Sequence, residues 1–125
     1  MNKHTGVDLD SERLGGQVAV LRIAGEVDLY NAPQLKEEML ALIESGVRHL
    51  IVDLSETQLL DSTGLGALIG GLTRLRERDG DLCLLNPRPR IRRDLEKTRL
   101  VKVFEICDSV DGAMRKWNEQ GGTEQ

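Results

Sequence analysis

The sequence predicts an α/β domain whose sheet is largely parallel, with an antiparallel edge. Three observations predict it. From Val18 onward, short apolar runs alternate with longer amphipathic stretches, which is the pattern of strands exchanging with helices. The runs Leu50–Leu54 and Leu82–Leu85 are nearly continuous in apolar residues, as strands buried on both faces are. A polar opening segment ends in Gly15-Gly16, a hairpin turn placed just before the first apolar run.

Each element has its own signal. A short edge strand is expected near Val7–Asp10 and a second strand at Val18–Ala24, rich in β-branched and aliphatic residues. Gly25-Glu26-Val27-Asp28 reads as a loop. A first helix is expected from about Ala32 to Ser45, with Asn31 as its N-cap, Pro33 in its first turn and Gly46 as its stop. Its apolar stripe is Leu35, Met39, Leu42 and Ile43. A second helix starts near Ser62 and runs to about Arg78, burying Leu65, Leu68, Leu72 and Leu75, with Ile69 beside them. Pro89, Ile91 and Leu95 mark a short third helix, and Val101–Ile106 a last strand. Ser109 caps a final helix whose apolar face is Val110, Ala113, Met114 and Trp117. One domain is expected over residues 1–125, with its core at about 7–117 and a flexible tail at 118–125.

Composition narrows the function. A chain of 125 residues with 39% hydrophobic residues supports one core. One Trp, one Tyr and one Phe leave no aromatic platform for stacking bases, and a net charge of -4 gives no general attraction to nucleic acid or anionic membrane. Cys83 and Cys107 stand far apart in apolar settings and read as buried free thiols, with a disulfide the second choice. There is no metal-ligand spacing, no secretory segment and no apolar run of membrane length, so a cytoplasmic protein without cofactor or metal is expected.

The chemistry concentrates at two loops. A parallel strand–helix–strand unit ends both strands on one edge of the sheet, where sites in such folds lie. Glu26 and Asp28 follow the first of these strands; Asp61, Ser62 and Thr63 precede the second helix. The plain reading is that Asp61 or Ser62 simply caps that helix. The functional reading is that a phosphate on Ser62 would find free backbone N–H groups and the positive helix end, opposed by Asp61. The second helix adds a clue, because Gly64, Gly66, Gly70 and Gly71 crowd its first half at about 1 kcal/mol each relative to Ala. Thr63, Ala67, Gly70 and Arg74 fall opposite the leucine stripe with Gly66 on the flank, so a nearly bare face adjoins Ser62. Gly71 is explained by close packing; Gly70 is not. Other motifs are weaker. Gly64-Leu65-Gly66 lacks the Lys of a phosphate loop. Asp53 lacks the acidic pair of a phospho-aspartate receiver, for which Glu26 and Asp28 substitute badly. A serine hydrolase would need a base, and His4 and His49 stand in no evident relation to Ser62. The basic stretch from Arg88 to Lys102 reads as a solvated helix face, with an acidic partner as the alternative.

The succession Gly25-Glu26-Val27-Asp28, a helix, Val52-Asp53-Leu54 and then Leu60-Asp61-Ser62-Thr63-Gly64-Leu65-Gly66 closely resembles the anti-sigma factor antagonists, single-domain proteins of the STAS fold. The resemblance spans roughly residues 7–117. It implies a mixed, mostly parallel sheet of about four to five strands with about four helices. It also implies a binding protein and not an enzyme. Ser62 matches the residue phosphorylated by an anti-sigma factor that is itself a serine kinase using ATP. The unphosphorylated form binds that factor and frees a sigma factor; a PP2C-type phosphatase resets the phosphorylated form. The partner surface implied is Glu26, Asp28, Asp61, Thr63, Gly64, Gly66, Ala67, Gly70 and Arg74. A STAS subunit of another signalling or lipid-transport assembly is the alternative.

Overall fold

The computed structural model describes residues 6–121. One sheet holds five strands: β1 (Val7–Gly15), β2 (Val18–Val27), β3 (His49–Leu60), β4 (Asp81–Leu85) and β5 (Glu105–Cys107). The helices are α1 (Ala32–Glu44), α2 (Ser62–Arg76), α3 (Pro89–Lys97) and α4 (Val110–Gly121), with a 3-10 turn at Leu100–Lys102. Strand order follows the chain, β1-β2-β3-β4-β5. β1 runs antiparallel to β2, and every later pair is parallel, so the expected mixed, mostly parallel sheet is borne out.

Sequential parallel strands decide where the helices go. Crossovers of this kind are right-handed almost without exception, so three steps in one direction lay three helices on one face. Residues of α1 (Leu35, Met39, Ile43), α2 (Leu68, Leu72, Leu75) and α3 (Ile91, Leu95) accordingly share one core with the sheet. Strand residues sort by the period of two. Ala19, Leu21 and Ile23, then Leu50, Val52 and Leu54, then Leu82 and Leu84 face that core. Val20, Ile51, Cys83 and Leu85 face the other way, against Ala113 and Trp117 of α4. Ser109 caps α4 as expected, its Oγ accepting from the Gly112 N–H at 2.9 Å.

Several boundaries differ from the sequence expectation. β1 continues to Gly15, well past Asp10. Gly25–Val27 is strand and not loop: Gly25 pairs with Val7, and the Glu26 N–H donates to the Gly6 carbonyl at 2.9 Å. Gly25 is required there, since its φ is +108° and a Cβ would sit 2.1 Å from the Gly6 oxygen. β3 does not stop at Leu54 but runs on to Leu60. Its pairing with β2 slips twice, each time by one extra residue on β3. Between the slips Thr57 is fully buried, and its hydroxyl donates to the Ile23 carbonyl at 2.6 Å, so its own buried polar group is satisfied. Val101–Ile106 is mostly not a strand. Arg99 takes a left-handed conformation (φ 65°), the chain coils through the 3-10 turn, and Phe104 plugs the core before the three residues of β5. Helix α4 continues to Gly121, so the tail expected at 118–125 is helical in its first part; residues 122–125, and His4, lie outside the described residues.

Candidate functional site

Val27 and Leu60 are register partners at the ends of β2 and β3. The two loops that carry the acidic residues therefore start side by side, and the Asp61 N–H donates to the Val27 carbonyl at 3.2 Å. Asp28, Asp61 and Ser62 are brought into one region, as the topology argument expects.

Each loop is organised by an aspartate. Asp28 Oδ1 accepts from the N–H groups of Tyr30 (3.0 Å) and Asn31 (3.2 Å), while Asn31 Oδ1 accepts from the Asp28 N–H at 2.9 Å. This reciprocal pair is a capping box set one turn early. Asn31 is therefore not the side-chain cap of α1. Its amide instead donates to the Glu26 carbonyl at 2.9 Å, holding the loop against the end of β2. The turn thrusts Leu29 and Tyr30 outward, 63% and 89% exposed.

At the second loop Asp61 is the N-cap of α2. Its Oδ1 accepts from the N–H groups of Thr63 (3.0 Å) and Gly64 (3.1 Å) and from the Thr63 hydroxyl. The Thr63 hydroxyl bond, followed by the amides of the first turn, holds the Asp61 carboxyl below its ordinary value. Ser62 is then the first helical residue, and it is exposed. Its hydroxyl has no hydrogen-bond partner among the described residues, whereas that of Thr63 is committed to Asp61. The expectation that a phosphate on Ser62 would meet free amides needs correction. The second and third amides of α2 are already taken by Asp61, an anion resident at the helix end. The negative charge that the helix end favours is thus already supplied from within the chain, by Asp61.

Beside Ser62, a groove of about 490 Å³ runs between α1 and α2. Thr63, Gly66, Ala67, Gly70 and Arg74 line one wall, and Leu29, Ala32, Pro33, Lys36, Met39 and Leu40 the other. A Cβ added at Gly66 or Gly70 would touch nothing within 4 Å, so the bare face is real. Gly64 differs. It is buried, and a Cβ there would lie 2.6 Å from Leu60 and 2.8 Å from Val27, so its role is packing and not contact at the surface. Gly71 packs as expected: a Cβ there would lie 2.8 Å from the Met39 sulfur. Glu26 is exposed on the end of β2 and lies outside the groove. Sequence reasoning missed Leu29, Tyr30 and Lys36. Two large apolar residues between Asp28 and Asn31, in a loop, were the available signal.

The competing sites do not assemble. His49 starts β3 and stacks on Trp117 with ring centroids 4.8 Å apart. Twelve residues of strand, roughly 30 Å or more, separate it from Ser62, so it is no base for that hydroxyl. Asp53 lies in the middle of β3, with its Oδ1 accepting from the Ser55 N–H at 3.0 Å, and not at a strand end. The basic stretch is surface: Arg90, Arg92 and Arg93 are exposed, Arg92 meets Glu96 at 4.0 Å, and Arg88 Nε donates to the Ser55 carbonyl at 3.1 Å. No helix of the described residues is long and apolar enough to cross a membrane.

The family model of the STAS domain matches residues 11–113. This chain belongs to the STAS domain family. Among its relatives, the anti-sigma-B factor antagonist of Listeria monocytogenes is 39% identical over 93 residues, covering 74% of this chain and 80% of that protein. The protein of the same description from Staphylococcus aureus is 32% identical over 91 residues, covering 73% and 84%. In structure, an anti-sigma factor antagonist from Mycobacterium paratuberculosis is similar with a TM-score of 0.79 and 27% identity, covering 88% of this chain and 92% of that one. The two loops and the α1–α2 groove of this STAS chain are therefore features built on an anti-sigma-antagonist type of fold.

Proposed function

We propose that this STAS chain is an anti-sigma factor antagonist switched by phosphorylation of Ser62, with residues 7–117 as the working unit. The observation that carries the reading is the exposed, uncommitted Ser62 hydroxyl at the first turn of α2, beside a groove whose α2 wall is bare at Gly66 and Gly70. The unmodified chain binds an anti-sigma factor through that groove, the Leu29-Tyr30 tip, and Asp28 and Glu26 on its flank. Gly66, Gly70 and Ala67 let the partner's backbone come close, and Arg74 and Lys36 offer charge at the rim. The partner is a serine kinase that uses ATP; this chain supplies the acceptor hydroxyl and no catalysis of its own. A phosphate adds about -1.5 to -2 charge at pH 7. Repelled by Asp61, it stands out over the docking face, so the modified form is rejected by a surface shaped for the bare hydroxyl. The same projection leaves it open to a PP2C-type phosphatase, in the cytoplasm where both partners work.

Because Asp61 and not Ser62 caps α2, Ser62→Ala costs no cap and keeps the fold. Calorimetric titration against the anti-sigma factor should find Ser62→Ala binding as the unmodified chain does, and Ser62→Asp at least about tenfold weaker, or 1.4 kcal/mol. Phosphopeptide mapping should place the phosphate on Ser62. Equal affinity of the two variants, or a phosphate on Thr63 or Ser55 with Ser62 bare, contradicts the reading.

A further inference from the structure

The two cysteines of the chain meet on the opposite face of the sheet, beneath α4. Cys83 of β4 and Cys107 of β5 are 24 residues apart in the chain, yet their sulfurs lie 3.0 Å apart. Both are free thiols, Cys83 buried and Cys107 half-buried. They approach diagonally, since Cys83 is registered with Glu105, and Cys107 with Leu85. About 1 Å of sulfur travel separates them from the disulfide bond length of about 2.0 Å. β5 is the strand that can supply it: it is three residues long and lies at the sheet edge, held by three register pairs to β4 alone.

The two sulfurs are unequal. Cys83 lies within the apolar cluster of Val20, Ile51, Ala113 and Trp117. Cys107 instead forms part of the wall of a polar cleft of about 270 Å³ with Asn86, Pro87, Arg92 and Asp108. A hydrogen bond from Cys83 favours the Cys107 thiolate, with Lys116 assisting and Asp108 and Glu105 opposing, and the Cys107 thiol falls below its ordinary value while that of Cys83 rises.

We infer that Cys83 and Cys107 form a peroxide-sensitive dithiol, with Cys107 the attacking sulfur and Cys83 the resolving one. The Cys107 thiolate attacks one oxygen of a hydroperoxide; an S–O bond forms, the O–O bond breaks, and the departing oxygen leaves as hydroxide or alkoxide and takes up a proton. Cys83 then attacks the sulfenic sulfur. The S–S bond forms, the S–O bond breaks, and water leaves with the Cys83 proton. Overall the two thiols give up two electrons and two protons to the peroxide. The product ties the short edge strand β5, and α4 that follows it, covalently to β4.

The test uses the full chain treated with hydrogen peroxide, then blocked with N-ethylmaleimide under denaturing conditions and weighed intact. The expected product is monomeric, lighter by two hydrogens, takes up no maleimide, and regains both reactive thiols after dithiothreitol. Two maleimide adducts after peroxide, or a linked dimer as the product, overturn the inference. Dimedone assigns the roles. Cys83→Ala should accumulate a dimedone-trapped sulfenic acid at Cys107, while Cys107→Ala should leave Cys83 unlabelled, with circular dichroism checking that both fold. Equal or faster labelling of Cys83 overturns the assignment of the attacking sulfur. None of these readouts depends on the partner or on Ser62.

Discussion

The glycines of α2 divide between two faces of one helix. Gly64 and Gly71 are buried and pressed against Val27, Leu60 and Met39; Gly66 and Gly70 look onto open space. All four carry the same intrinsic penalty in a helix, about 1 kcal/mol relative to Ala. On the packed face that penalty is offset by the close approach of helix to sheet and of α1 to α2. On the open face nothing among the described residues offsets it. The difference teaches that the same residue type, a few positions apart, answers to two constraints: one set by the fold, the other, on the function proposed above, by a docking partner.

The comparison can be broken most decisively at Gly64. A Cβ there meets Val27, whose branched side chain is fully buried and cannot swing away. Gly64→Ala should therefore lose about 1–3 kcal/mol by overpacking, reduced but not reversed by the gain in helix propensity. A urea midpoint equal to that of the parent would show that Gly64 is not held by packing. Gly71→Ala is the gentler counterpart, because the atom it meets belongs to the flexible thioether of Met39. Gly70→Gln sharpens the other side. Its side chain enters solvent at the groove, so the melting temperature should hold or rise, by up to about 1 kcal/mol in stability. Affinity for the anti-sigma factor, and Ser62 phosphorylation with it, should fall at least about tenfold. A Gly70→Gln chain that binds its partner normally would make the bare face incidental.

Asp61 stands at the seam of the two faces and gives the smallest effect. Asp61→Ala should cost about 1 kcal/mol at neutral pH through the lost cap. Its carboxyl is held low in the folded chain, first by the Thr63 hydroxyl and then by the amides. The stabilisation is thus complete above the unfolded value near about 3.9 and is lost as pH falls through the lower folded value. Denaturation midpoints of parent and Asp61→Ala should converge in that acid range. A constant difference down to the lowest pH at which the chain folds would show that the Asp61 carboxylate is not the capping species.

How far the sequence discloses this molecule depends on whether a signal is local. The helices, β2, β4 and the Asp61-Ser62 junction follow from periodicity and capping, both of which act within a few residues. The groove was visible only on one wall, because the leucine stripe fixes which face of α2 is bare, whereas the α1 wall depends on how two helices meet. The meeting of Cys83 with Cys107 depends on strand order and register, which no spacing encodes. Val101–Ile106 carries β-branched residues that suggest a strand, but the left-handed Arg99 and the burial of Phe104 claim the segment for a turn. The second half of β3 was hidden by its own irregularity. Leu54, Thr57 and Leu60 are buried at intervals of three, which a period-two search rejects.

Those intervals of three set a rule of length. Between Ile23 and Val27, β2 takes four steps, while β3 covers the matching ground from Leu54 to Leu60 in six. A pleated chain alternates sides at every residue, and each bulge absorbs one surplus residue so that the partners stay in step: Thr57 and Leu60 sit opposite Gly25 and Val27, two residues that share a face of β2. Leu60 therefore faces the same core as Leu54, and Asp61 leaves the strand where α2 begins. One or two residues removed between Ser55 and Leu59 can be taken out of the bulges, leaving Leu60 opposite Val27. A third removal has no bulge to draw on, and would turn Leu60 out of the core or pull the start of α2 back along β2. The stretch of chain that places Ser62 carries two residues of slack and no more.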